Sequence, residues 1–179
     1  MHAGGRMAGP AITVKTRPGD NLMIHKALQL ATAGDVIVVD GGGDLTNSLI
    51  GDIMLNDANL RNLGGVVING AIRDSGSVTR MALPVFAAGV THRGPYKDGP
   101  GEVNVPIAID GMVIEPGDLI IGDEDGVLCV PYMEAAQMLE AAQAKQALES
   151  EIMAALKAGT VDRSWIDESL KRLNCYIEE

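Results

Sequence analysis

The residues able to do chemistry gather in one stretch, GDIMLNDANLRNLGGVVINGAIRDSGS, from Gly51 to Ser77. Asp52 heads an amphipathic segment, and Arg73 and Asp74 follow directly on the apolar run from Val66 to Ile72. Asp52 and Arg73 enclose 20 residues. An arginine fork grips a carboxylate or a polarised carbonyl oxygen with two parallel N–H groups. A neighbouring carboxylate can hold one side of a hard divalent cation, with water and substrate oxygens completing the shell. Cation and guanidinium on one carbonyl would stabilise an enolate as it forms. Two blander accounts compete. Asp52 serves equally well as a helix N-cap, and an Arg-Asp pair on the surface contributes little. Composition and spacing alone leave those accounts ahead.

Elements must exist to bring these groups together. AGPAITVKT, residues 8–16, alternates like a strand. A turn and a helix follow, with Asp20 as N-cap and Gly34 as the stop. DVIVVD, residues 35–40, is a β-branched run that reads as a buried strand. A glycine loop leads to a helix over residues 52–62, and VVINGAI is the next buried strand. Strand, helix, strand, helix, strand with short links predicts an α/β domain whose first sheet is largely parallel. Arg73-Asp74 would then leave the carboxyl end of a strand, where open α/β sheets bind ligands. Asp52 would open a helix whose first N–H groups, those of Ile53, Met54 and Leu55, can receive an anion. After Asp74 the chain reads as short strands with Gly and Pro turns, and from Met133 as a long helix closed by Gly159. DRSWIDESLKRL is a last short helix.

Composition narrows the class. The chain has 179 residues, of which 46% are hydrophobic but only 3% aromatic, so one aliphatic core is expected. A net charge of −10 repels phosphate backbones and anionic bilayers, which argues against nucleic acid and membranes as partners. No apolar run reaches a membrane span and the start does not read as a signal peptide, so a soluble, cytoplasmic protein is expected. Cys129 and Cys175 form neither a disulfide framework nor a zinc site, and Cys129 reads as an inert buried thiol. His25 lies in an apolar helical pattern and reads as a packing residue; His92 stands near a Gly/Pro-rich loop, and His2 is terminal. GDEDGV lacks the spaced ligands of a calcium loop and reads as a hairpin turn. GGGD lacks the lysine of a phosphate-binding loop.

The succession AGPAITVKT, GDVIVVDGGG, GDIM, GGVVINGAIRD, LPVFAAGVTHRGP and VNVPIAIDGMVIEPGDLIIGDEDGVLCVP resembles the RraA-like family. Within it, the chain looks most like the 4-hydroxy-4-methyl-2-oxoglutarate/4-carboxy-4-hydroxy-2-oxoadipate aldolases, which are class II, metal-dependent pyruvate aldolases. The resemblance runs from about residue 8 to residue 131 and includes a D-x20-R-D signature at Asp52, Arg73 and Asp74. It implies a swivelling β/β/α-type α/β fold as one domain over 1–179, with a core over 8–131 and a C-terminal helical segment over 132–179. It implies assembly into homotrimers or hexamers. Asp74 would ligate Mg2+ or Mn2+, and Arg73 would bind the pyruvyl end and the developing enolate. Asp52 would hold a metal-bound water and help move the C4 hydroxyl proton. Gly51 and the amides of Ile53, Met54 and Leu55 would cradle the oxo-acid carboxylate. Lys97 would meet the substrate, and Glu149 would come from a neighbouring subunit, with Glu151 taking that place in a shifted register. A solvated loop lysine and an exposed pair with Lys145 remain the alternatives for Lys97 and Glu149. Relatives carry a longer segment before the first strand, so the chain is expected to be a shortened member or to have a misplaced start. The resemblance also covers regulators that bind and inhibit a ribonuclease. A methyltransferase using S-adenosylmethionine is not expected, because the glycine loop and acidic residue of a methyl-donor site are missing.

Overall fold

The computed structural model describes residues 5–178; His2 lies outside them. Two compact units divide the chain, one ending at Ala135 and the other beginning at Ala136. The first unit opens with β1 (Met7–Thr16), α1 (Leu22–Leu30), β2 (Val36–Asp40), β3 (Ser48–Ile50), α2 (Asp52–Leu60) and β4 (Gly65–Ile72). It continues with α3 (Ser75–Val78), β5 (Val85–Val90), β6 (Gly101–Val103), β7 (Ile107–Ile109), β8 (Met112–Ile114), β9 (Leu119–Asp123) and β10 (Gly126–Val130). The second unit contains α4 (Ala135–Ala158, save its first residue) and α5 (Ser164–Arg172).

The main sheet runs β10-β9-β1-β2-β4-β3, with β5 also paired to β4 and β6 to β1. Pairings β1–β2, β2–β4, β3–β4 and β4–β5 are parallel, as the strand-helix alternation predicts. The β-branched runs explain why these strands lie in the middle: both faces are covered, so both must be apolar. Successive side chains alternate between the faces. Ile37 and Val39 of β2 join Ile68 of β4 in a core with Ile24, Leu28, Leu55 and Ala58 of the two helices. Val36 and Val38 face the other way, with Val67, Ile107, Ile114 and Ile120. Helices thus cover one face of the sheet and the β7–β8 hairpin covers the other.

Local chemistry sets the turns. Asp110 and Gly111 both have positive φ, 49° and 84°, and join β7 to β8 in a two-residue hairpin. GDEDGV is likewise a hairpin, in which Asp123 accepts the N–H of Asp125 at 2.9 Å. Helix α1 stops at Leu30, earlier than Gly34 suggested. Ala31 is already extended, and Asp35 accepts both the N–H and the hydroxyl of Thr32, which draws the chain into a turn. Strand β3 is only three residues long and carries no pattern of its own; it forms by pairing with β4. Cys129 is half-buried, and burial, with the Asp118 carboxylate as the second cause, pushes its thiol up to about 11, consistent with an inert thiol. In the second unit, no residue of α4 or α5 is buried. Among the described residues, no helix is long and apolar enough to cross a membrane.

Candidate functional site

Parallel pairing of β3 and β4 places the ends of both strands side by side. Arg73 gives its backbone N–H to Ile50 O at 3.0 Å, so the residue after β4 is tied to the last residue of β3. The chain then turns sharply. Asp74 adopts a left-handed conformation, φ 56° and ψ 32°, which aspartate tolerates better than most residues. That turn brings the carboxylate back to the amino end of α2, where Asp74 Oδ2 accepts the N–H of Asp52 at 3.1 Å. The Arg73 Nε lies 3.4 Å from the same oxygen. Gly51 makes the approach possible: a Cβ there would lie 2.6 Å from Asp74 Oδ2 and 2.7 Å from Arg73 Nε.

Asp52, Arg73 and Asp74 therefore share one hollow of about 460 Å³, lined also by Ser75, Ser77, Arg80 and His92. Arg73 also borders a second hollow of about 280 Å³, with Gly51, Ile53, Met54, Asn21, His25 and Lys97. Arg73 is thus common to both. Its Nε faces Asp74, and its two terminal nitrogens have no hydrogen-bond partner among the described residues. The carboxylate of Asp52 and the ammonium of Lys97 are also without a hydrogen-bond or ion-pair partner among the described residues.

The helix end is less open than its sequence suggests. Leu55 gives its N–H to Gly51 O at 3.1 Å and buries its side chain, so it closes the first turn of α2 rather than facing a ligand. The Asp52 N–H is taken by Asp74. The N–H groups of Ile53 and Met54 remain unpaired among the described residues and lie at the positive end of the helix.

Two residues that spacing did not mark also line the Lys97 hollow. Asn21 is buried, gives its Nδ2 to Met54 Sδ at 3.4 Å, and leaves its Oδ1 without a partner. His25, four residues on, shares that hollow. Burial first and Lys97 second hold its imidazole below the usual histidine value. An Asn and a His at i, i+4 next to a helix start was the available signal, and the apolar pattern around His25 pointed to packing instead. Glu149 lies on α4 in the second unit, where its Oε1 is 3.7 Å from Lys145 Nζ.

Comparison with known proteins identifies the family these features belong to. A family model described as RraA-like, Aldolase/RraA, matches residues 1–129. A protein of Halalkalibacterium halodurans named "Putative 4-hydroxy-4-methyl-2-oxoglutarate aldolase" is 42% identical over 147 residues, covering 82% of this chain and 70% of that one. A solved structure described as the RNA-processing inhibitor RraA of Thermus thermophilus superposes with a TM-score of 0.67 at 36% identity, covering 70% of this chain and 76% of the other. Another, described as an S-adenosylmethionine:2-dimethylmenaquinone methyltransferase of Geobacillus kaustophilus, gives 0.68 at 36% identity over 70% of this chain and 78% of the other. With its large mixed sheet, its parallel centre and its Asp52, Arg73 and Asp74 on one hollow, the chain belongs to the RraA-like family.

Proposed function

We propose that the chain is a divalent-metal-dependent lyase that cleaves 4-hydroxy-2-oxo diacids to pyruvate and a second 2-oxo acid, and that it also decarboxylates oxaloacetate. One observation carries this reading. A guanidinium with free terminal nitrogens stands between an unpaired pair of helix N–H groups and two carboxylates in a common hollow. That combination suits an anion attached to a carbonyl that becomes an enolate.

The donor set fits a hard cation. Among the described residues, no cluster of three or more His, Cys, Asp or Glu is placed to hold a metal. A cation would therefore rest on Asp74, whose Oδ1 has no partner among the described residues, with water and substrate oxygens filling the other positions. This is the habit of Mg2+ and Mn2+ rather than of zinc. When bound, such an ion supplies Lewis-acid stabilisation of the enolate charge.

The chain's own residues do the rest. The N–H groups of Ile53 and Met54, on the Gly51 side, receive the pyruvyl carboxylate. Arg73 donates to the 2-oxo oxygen. Asp52 takes the proton of the C4 hydroxyl, directly or through one water. The C3–C4 bond breaks and its electron pair moves toward the C2 carbonyl, where Arg73 meets the growing charge. Protonation at C3 gives pyruvate, and the C4 fragment leaves as the second oxo acid. Oxaloacetate loses carbon dioxide through the same enolate. Lys97 receives the distal carboxylate. Glu149 would reach the site from a second copy in a homotrimer or hexamer, a role supported by the exposure of Leu139, Leu148, Met153 and other apolar side chains of α4.

The test is pyruvate release from oxaloacetate and from 4-hydroxy-4-methyl-2-oxoglutarate, with Mg2+ or Mn2+ and with EDTA. Metal-dependent turnover that EDTA abolishes and added Mg2+ restores is expected. No pyruvate above the protein-free rate at micromolar enzyme would sink the reading. A second reading rests on the inhibitor neighbour and the net charge of −10, which suits a basic segment of a ribonuclease. Capture of a ribonuclease that the chain inhibits, with no lyase activity, would select it.

A further inference from the structure

Asp20 is a carboxylate with no exposed surface, outside both hollows, and nothing in the reaction uses it. Its bonds explain why it is there. Oδ1 accepts the N–H of Leu22 at 3.0 Å, which opens α1. Oδ2 accepts the N–H of Asp98 at 2.7 Å and of Gly99 at 2.9 Å, both on the loop that carries Lys97. Arg17 Nη2 completes the set at 3.1 Å from Oδ2. The backbone repeats the connection: Asn21 gives its N–H to Tyr96 O at 3.0 Å, and Tyr96 gives its own to Gly19 O at 2.8 Å. Arg17 then lies over the Tyr96 ring, 5.6 Å from its centre, and 3.8 Å from Asp98.

These contacts join two walls of the Lys97 hollow. One wall is the start of α1, with Asn21 and His25; the other is the segment from Gly94 to Lys97. The same loop is held upstream by Ser48, which gives its N–H and hydroxyl to Arg93 O, and by Asn47 Nδ2 on Gly94 O at 2.6 Å, while Tyr96 is exposed. Burial alone would push the Asp20 carboxyl up; the Leu22, Asp98 and Gly99 N–H groups and the Arg17 guanidinium outweigh it and hold the carboxyl below its usual range. The charged form is therefore the one the loop is built around.

We propose that Asp20 is a positioning residue: its buried carboxylate clasps the 96–99 loop to the start of α1 and so fixes Lys97 at the distal end of the substrate. The inference rests on the lyase reading for its kinetic consequence but not for the clasp itself. Ala at this position removes both acceptor oxygens, so all three backbone donors lose their partner, whereas Asn keeps one oxygen that can stay on Asp98 and Gly99.

Two measurements test it on the full chain. Hydrogen exchange reads the clasp directly. Asp20→Ala should expose the Asp98 and Gly99 amides while those of β2 and β4 keep their protection. Steady-state kinetics reads the consequence. Asp20→Ala should lower kcat/KM for 4-hydroxy-4-methyl-2-oxoglutarate by about tenfold to a hundredfold, mostly through KM. In a Lys97→Ala background the same change should cost no more than about twofold, because the group it positions is gone. Losses that simply multiply, or exchange at 98 and 99 like that of the parent, would overturn the proposal. Should Asp20→Ala not fold, Arg17→Met changes a solvent-accessible partner of the same carboxylate and should show the same pattern more weakly; unchanged exchange there would count equally against it. If the parent releases no pyruvate, the lyase reading fails and the exchange result alone decides the clasp.

Discussion

The two sides of Arg73 differ in what they can hold. On one side lie two carboxylates, Asp52 and Asp74, with the hydroxyls of Ser75 and Ser77 and, at the same hollow, Arg80 and His92: groups for proton transfer and, at Asp74, for a cation. On the other lie Lys97, His25, Asn21 and the open N–H groups of α2: an environment for an anion. One guanidinium belongs to both. The difference is that anion-binding groups gather on the Lys97 side, where the proposed reaction places both carboxylates of a diacid, while the carboxylates suited to a cation and to proton transfer stand on the Asp52 side. Close approach makes this possible, since Gly51 admits Arg73 and Asp74 to a space a methyl group would fill.

Removing the residue common to both hollows should have the largest effect. Arg73→Ala is expected to lower kcat/KM by about 10³-fold for both hydroxy-oxo acid cleavage and oxaloacetate decarboxylation. Arg73→Lys should not restore it, because an ammonium lacks the planar fork. Equal activity in the lysine variant would show that only charge matters there. Asp52 should separate the two reactions. Oxaloacetate has no C4 hydroxyl proton to remove, so Asp52→Asn is expected to slow cleavage by about 10²-fold or more while decarboxylation keeps most of its rate. Parallel losses would place Asp52 in enolate formation instead. Lys97→Ala acts on the other side: KM for a diacid should rise by about tenfold to a hundredfold with kcat little changed. A loss confined to kcat would remove Lys97 from substrate binding.

How much of this was legible before the fold was known follows the same division. The Asp52 side was readable because its groups sit at element ends that the pattern marks. Val66 to Ile72 is a β-branched run, and a strand's end is where its next two residues emerge together. The α2 start was marked by Gly51-Asp52 and an amphipathic segment. The Lys97 side was not readable from periodicity, because long-range backbone bonds build it. Asn21 and His25 meet Lys97 only when Asp20, read as a helix cap, also clasps a loop 78 residues further on. In the structure Asp20 precedes the cap position held by Asn21 yet still accepts the first helical N–H, so the capping chemistry was right and its second role invisible. Leu55 shows the opposite error. Counting N–H groups from the helix start gave three open donors, but the first turn had already closed on Gly51. Strand β3 escaped notice because three residues hold no period.

The smallest expected effect tests whether the two sides are electrically distinct. His25 and Lys97 share the anion-receiving hollow, and the imidazole is held below its ordinary value first by burial and then by the ammonium. A histidine depressed in the folded state contributes stability that is present above its unfolded value, about 6.5, and lost as pH falls through the folded one. Lys97→Ala should raise the His25 value, and only part of the way, because burial remains. The protein should accordingly lose less stability than the parent on acidification from pH 7 toward the depressed value. Titration of the His25 ring proton by NMR reads the shift; the change in midpoint of urea unfolding across the same window reads the linkage. The Asp52→Asn variant is the control, since that carboxylate lines the other hollow and should leave the His25 titration nearly where it was. A larger response to Asp52 than to Lys97 would mean that the guanidinium does not separate the two sides, and that they behave as one continuous field.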